Sequence, residues 1–125
     1  RYYYAGEYAT ARREATAGLG IAKEIGEKTA MVQASAIQAA VTAREGVYFA
    51  GVRQLRQAIE SAQETCDAEC VVHLKTFLGE ILFLLGRSEE DKTEGKALLE
   101  ENLAAARERK LIPEEQRILA VMEGR

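Results

Sequence analysis

The sequence predicts an all-α chain built from antiparallel helix pairs stacked in a short array of about six helices. Three observations carry that expectation. First, the chain lines up with itself when slid by 40 residues: Gly6, Gly46 and Gly86 coincide, and Gly6-Glu7-Tyr8 falls on Gly46-Val47-Tyr48. In the same register Leu19, Ala22 and Gly26-Glu27 meet Ile59, Ala62 and Cys66-Asp67, and Val41 meets Ile81. Second, there is one proline, strand signals are nearly absent, and Ala, Glu, Leu, Arg, Lys and Gln dominate, all of which favour helix. Third, apolar residues recur at helical spacing, as in Val52, Leu55, Ile59 and Ala62.

The elements follow in order. Helices are predicted over residues 6–25, 28–44, 47–65, 67–85, 91–109 and 113–123. Gly26 is placed to end the first in the left-handed conformation that only glycine enters freely, and Gly46 and Gly86 are expected to end the second and fourth in the same way. Asp67 suits the N-cap of the fourth helix, and Pro113 suits the first turn of the last, where its missing N–H is not needed. The fourth helix carries a wide stripe, Val71, Leu74, Phe77, Leu78, Ile81, Leu82 and Leu85, so neighbours are expected on both sides of it. Connections of two to four residues make consecutive helices antiparallel neighbours. Residues 1–5 read as the tail of an earlier helix. With no initiator Met, the chain is expected to be a fragment of a longer protein.

The third copy is imperfect. Gly86 keeps the period, but residues 88–94 are all polar or charged. Matching Gly95-Lys96-Ala97-Leu98-Leu99 to Gly51-Val52-Arg53-Gln54-Leu55 requires four inserted residues, which are expected to lengthen the turn between the paired helices. Leu103 then matches Ile59, and Ala106 matches Ala62.

Composition removes several functions. The 125 residues suit one domain with a continuous core. The longest apolar run, 81–85, is far too short to cross a bilayer, and no signal-peptide pattern opens the chain. The net charge of −3, with both signs interspersed, gives no basic footprint for nucleic acid. The one basic cluster, Arg107, Arg109 and Lys110, sits where a helix ends and complements its dipole. Two cysteines, Cys66 and Cys70, make no disulfide framework, and the absence of export signals points to the cytoplasm. Cys66, Cys70 and His73 are spaced four and three apart, but no further Cys or His completes a structural zinc site, so no metal or cofactor is expected. No Gly-x-Ser-x-Gly and no phosphate-binding loop is present, and Gly18-Leu19-Gly20 lies inside a helical stretch, so an enzyme is not expected.

Leu78-Gly79, the two Gly-x-Tyr turns each followed by a small residue (Gly6 to Ala11, Gly46 to Gly51), and small residues at Gly18, Ala22, Ala58 and Ala62 resemble the tetratricopeptide repeat family. The repeats would cover about 1–27, 28–67 and 68–111, with a partial last helix at 112–125. Ser88 stands for the third tyrosine, Gln38-Ala39 for the second Leu-Gly, and the period exceeds the family's usual value of about 34. The resemblance implies a right-handed superhelical array whose first helices line a concave groove for a protein or peptide. Matching the turn glycines places Gln33, Ala36, Ala40, Ala43 and Arg44 in that groove from the second copy, and His73, Thr76, Glu80, Phe83 and Leu84 from the third. The Lys and Asn set by which some relatives hold a C-terminal carboxylate is missing, Ala40 and Glu80 standing where an amide is wanted. A binding scaffold is the leading expectation. A ligand-sensing domain of a larger regulator is the alternative, and self-association through apolar array ends stays open. Tyr2, Tyr3, Tyr4 and Tyr8 are expected to pack rather than to bind.

Overall fold

The computed structural model describes Tyr3 and residues 6–124, which form six helices and no strand: α1 Tyr8–Ile25, α2 Lys28–Arg44, α3 Tyr48–Thr65, α4 Ala68–Leu85, α5 Glu89–Glu108 and α6 Ile112–Glu123. Tyr2 and Tyr4, read above as part of an aromatic cluster, lie outside the described residues, as does most of the 1–5 segment.

The helix ends have local causes. Gly26 caps α1 at φ 72°, and Gly46 follows α2 at φ 108°. Asp67 caps α4 by accepting a hydrogen bond from the backbone N–H of Cys70 at 2.9 Å, and Ser88 caps α5 through Asp91 N–H at 3.1 Å. Gly86 corrects the expectation made for it. It sits at φ −51°, not in the left-handed region, and glycine is needed there because a Cβ would run into the carbonyl oxygen of Leu82. The inserted residues are also corrected. Only Gly86, Arg87 and Ser88 join α4 to α5, and the charged stretch forms the opening turns of a longer helix. Ser88 at the cap and Glu89, Glu90 and Asp91 in the first turn suit a helix N-terminus better than a loop.

Every helix packs on the next, and short links make neighbours antiparallel. The alternate helices behave differently in the two series. The backbone of α2 lies close to that of α4, and α4 to α6, whereas the backbones of α1, α3 and α5 stay apart from one another. An inner layer of α2, α4 and α6 therefore lies against an outer layer of α1, α3 and α5. Long side chains tie the outer helices α3 and α5: Arg56 to Glu94 in two bonds of 2.7 and 2.9 Å, and Tyr48 Oη donating to Asp91 Oδ2 at 2.8 Å. Burial, then the bond to Asp91, pushes the Tyr48 phenol up to about 12.

The two complete pairs cross in the same way. A Cβ on Gly51 would lie 2.6 Å from the backbone N of Ala43 and 2.8 Å from the carbonyl oxygen of Ala39. A Cβ on Gly95 would lie 2.5 Å from the backbone N of Phe83 and 2.9 Å from the carbonyl oxygen of Gly79. These are the same two backbone atoms 40 residues further on, so the 51–95 match holds. α2 is surrounded by α1, α3 and α4, and accordingly its buried residues are mostly alanine. One core cluster runs from α1 to α4 around Leu55, Leu74, Ile81 and Leu82, and a second joins Leu99 of α5 to Ile118 and Val121 of α6.

Gly51→Ala should lower unfolding stability by about 1–3 kcal/mol, because the new methyl meets backbone rather than a movable side chain. Gly18→Ala, whose Cβ meets nothing within 4 Å, should raise it by about 0.5–1 kcal/mol. Urea titration of both variants checks the pair, and equal shifts would contradict the crossing geometry.

Candidate functional site

The inner layer gathers the chain's buried charge. Glu80 of α4 has no exposed surface, and its Oε1 accepts a 2.7 Å hydrogen bond from Arg117 Nη2 of α6. Arg44 of α2 stands 3.6 Å from the same oxygen and donates from Nε to the Tyr3 hydroxyl at 3.0 Å. The Tyr3 ring lies edge-on to Phe77 with centroids 5.1 Å apart and under the Arg44 guanidinium at 5.6 Å. One acid thus ties three helices and the residue that precedes α1. Oε2 of Glu80 is buried and has no hydrogen-bond partner. Burial pushes the Glu80 carboxyl above its ordinary value, while Arg117 and then Arg44 pull it back without cancelling the rise. Burial likewise raises the Tyr3 phenol against the pull of Arg44.

Toward the start of the inner helices the face opens. A cavity of about 320 Å³ is lined by Thr29, Gln33, Asp67, Glu69, Cys70, His73 and Glu114. His73 Nδ1 meets Glu114 Oε1 at 2.7 Å, and the His73 ring packs edge-on to Phe77 at 4.8 Å. Gln33 Nε2 donates to Cys70 Sγ across the α2–α4 contact at 3.8 Å. Oε2 of Glu114 is buried with no hydrogen-bond partner. Three carboxylates and no lysine or arginine line this cavity, so its field favours a cation. Burial, then the neighbouring Cys66, pushes the Cys70 thiol up to about 11, which keeps it protonated. No cluster of three His, Cys, Asp or Glu suited to a metal is present among the described residues.

The residues expected along the groove divide. Gln33 and His73 line the cavity, and Arg44 sits half-buried beside Glu80. Ala36, Ala40, Thr76 and Glu80 have no exposed surface, so they are not the open groove positions that the turn alignment expected. The reason is that α2, α4 and α6 pack directly on one another and close the space between them. Ala43 is also buried, at the Gly51 crossing. Phe83 packs into the α5–α6 cluster rather than beside His73, and Leu84 is exposed. Glu114 and Arg117 were missed. The 44-residue offset that carries Gly51 to Gly95 also carries Cys70 to Glu114 and His73 to Arg117, and extending it one helix would have found them.

Comparison of the chain with protein-family models, with curated proteins and with solved structures gave no match. Within the described residues no helix is long and apolar enough to cross a membrane.

Glu80 generates a pH prediction. Below about pH 4.5, its ordinary value, the acid is protonated folded or unfolded and burial adds no penalty. As pH rises through the raised folded value, the unfolded carboxylate ionises freely and the folded one ionises against burial, so stability from this group is lost. Glu80→Gln should therefore melt level with wild type near pH 4.5 and above it at pH 8. Glu80→Ala should lose about 2–4 kcal/mol at neutral pH, since it opens a cavity and leaves two cations facing it. Thermal melts across that range check both, and a Gln variant that falls below wild type as pH rises would contradict the direction.

Proposed function

We propose that this chain is a protein- or peptide-binding scaffold, a short right-handed superhelical array of the tetratricopeptide kind, that works through the inner face of α2, α4 and α6. The observation that carries the reading is the acidic cavity between the starts of these helices, bounded by Gln33, Asp67, Glu69, His73 and Glu114. The layer pattern supports it, because inner helices in contact and outer helices apart curve the array toward the inner side. The carboxylates select a segment bearing a basic side chain, and Gln33 and Thr29 offer it amide and hydroxyl groups. The partner is thus a protein or peptide in the cytoplasm. Neither nucleic acid nor membrane suits a net charge of −3.

Binding is favoured over catalysis because the nearest nucleophile, Cys70, is held protonated by burial at about 11. The cavity size supports a second reading. At about 320 Å³ it lies in the range of small-molecule sites, roughly 300–1,000 Å³, so a sensing domain of a larger regulator would bind an amine there.

Gln33→Lys with Glu69→Gln cuts the charge of the cavity's side chains from three negatives to one, at two positions that reach solvent. Affinity capture with this double variant as bait should retain the wild-type partner at least about tenfold less well, with the melting temperature little changed. Retention that survives, but is abolished by alanines at Arg53, Gln57 and Glu60 on the exposed side of α3, would move the site to the outer layer.

A further inference from the structure

One groove occurs twice in the molecule. The first, of about 460 Å³, is walled by α2 and α3, and the second, of about 410 Å³, by α4 and α5 with the end of α3. The repeat relates them residue by residue. Met31, Val32 and Ser35 of α2 become Val71, Val72 and Lys75 of α4 at an offset of 40. Gln57, Ala58 and Ser61 of α3 become Glu101, Asn102 and Ala105 of α5 at the offset of 44 that carries Gly51 to Gly95.

The chemistry of the two copies differs. No charged residue lines the first, whereas the second sets Lys75 and Arg109 against one carboxylate, Glu101. Lys75 is half-buried, and neither cation forms an ion pair among the described residues. Asn102 is the largest change. It is 2% exposed, it stands where the first copy has Ala58, and its Nδ2 is buried with no hydrogen-bond partner. A position that served packing alone would keep the alanine, because an amide taken from water and left unbonded costs stability. A local rule broken with no compensation inside the chain is expected where function supplies the compensation. Asparagine's χ2 is a soft torsion, so the amide is able to turn its NH2 toward an acceptor that enters the groove.

The donors lie in order along the groove. A Cβ on Gly79 would meet the Leu99 side chain, so one turn further along each antiparallel helix sets Lys75 level with Asn102. Val71, Val72 and Ala105 follow as an apolar floor, and Arg109 lies beyond them. An ammonium beside an unpartnered amide NH2 calls for an anion. Glu101 on the same wall disfavours a second negative charge. The volume lies in the range of small-molecule sites, roughly 300–1,000 Å³. We propose that the α4/α5 groove binds a small organic monocarboxylate, with its carboxylate on Lys75 and the Asn102 amide and its apolar part over Val71, Val72 and Ala105. The groove shares no lining residue with the acidic cavity, and either assignment stands without the other.

The probe is sodium hexanoate, titrated into the full chain labelled with ¹⁵N, with hexylamine and hexan-1-ol as controls. The side-chain NH2 signals of Asn102, assigned by their loss in Asn102→Ala, should shift saturably with hexanoate and with neither control. Asn102→Ala restores the residue of the first copy, so it should melt no lower than wild type. It should also weaken hexanoate binding at least about tenfold, read from the backbone amides of Val72 and Ala105, and Lys75→Gln should do the same. No saturable shift at these residues, equal shifts with hexylamine or hexanol, or wild-type binding by either folded variant would overturn the proposal. So would an Asn102→Ala chain that melts well below wild type, since the amide would then serve the fold. A short acetylated peptide with a free C-terminal carboxylate that shifts these signals where hexanoate does not would give the groove to a protein C-terminus, and would overturn the small-molecule assignment.

Discussion

The close crossing of paired helices at glycine is the constraint on which the rest depends. At Gly51 and again at Gly95, one helix rests on the backbone N and carbonyl oxygen of its partner, with no room for a methyl group. Such contact fixes the distance within a pair, and two pairs built alike stack in one register. That stacking brings α2 to α4 and α4 to α6, while the outer helices α3 and α5 are bridged by Arg56–Glu94 and Tyr48–Asp91. The inner face therefore rests on the crossings together with the contacts of Glu80 with Arg44 and Arg117.

Glu80 shows what the inner layer adds. A carboxylate with no exposed surface is poorly placed for stability unless its partners are well aligned. Here Arg117 and Arg44 approach one oxygen from opposite helices, while the other oxygen has none. An apolar residue would fill the same space but would not distinguish one sliding register of α2, α4 and α6 from the next. The acid does, because a shift of one turn would separate it from both cations. Tyr3 extends the same network toward the chain's first residues through Arg44 and Phe77.

Helix number, order and ends were legible because glycines, Asp67 and Pro113 act locally and the apolar stripes repeat at helical spacing. The repeat alignment, with four residues inserted in its third copy, also pairs Gly51 with Gly95. Two features were not legible. By its period Gly86 reads as a third left-handed cap, because sequence shows a glycine but not whether φ or a nearby carbonyl demands it. The charged stretch after it reads as a turn, because polarity marks a loop and an exposed helix N-terminus equally. The expected groove residues divide for a geometric reason. Turn alignment fixes which helices face inward, but not how closely they pack, so Gln33 and His73 reach the cavity while Ala36, Ala40, Thr76 and Glu80 vanish between helices. Glu114 and Arg117 lay beyond the last repeat that the period made obvious.

The interlocked glycines can be observed directly in solution. In a nuclear Overhauser spectrum of the labelled chain, Gly51 Hα should show a strong cross-peak to the Ala43 methyl, whose carbon lies 2.7 Å from where a Gly51 Cβ would be. Gly79 Hα should show one to the methyls of Leu99, whose nearest carbon lies 3.0 Å from the corresponding point. Both peaks together are the result expected of repeated close crossings. Their absence from a spectrum that shows other contacts between helices would mean that the pairs stand further apart, and the inner layer would lose its foundation.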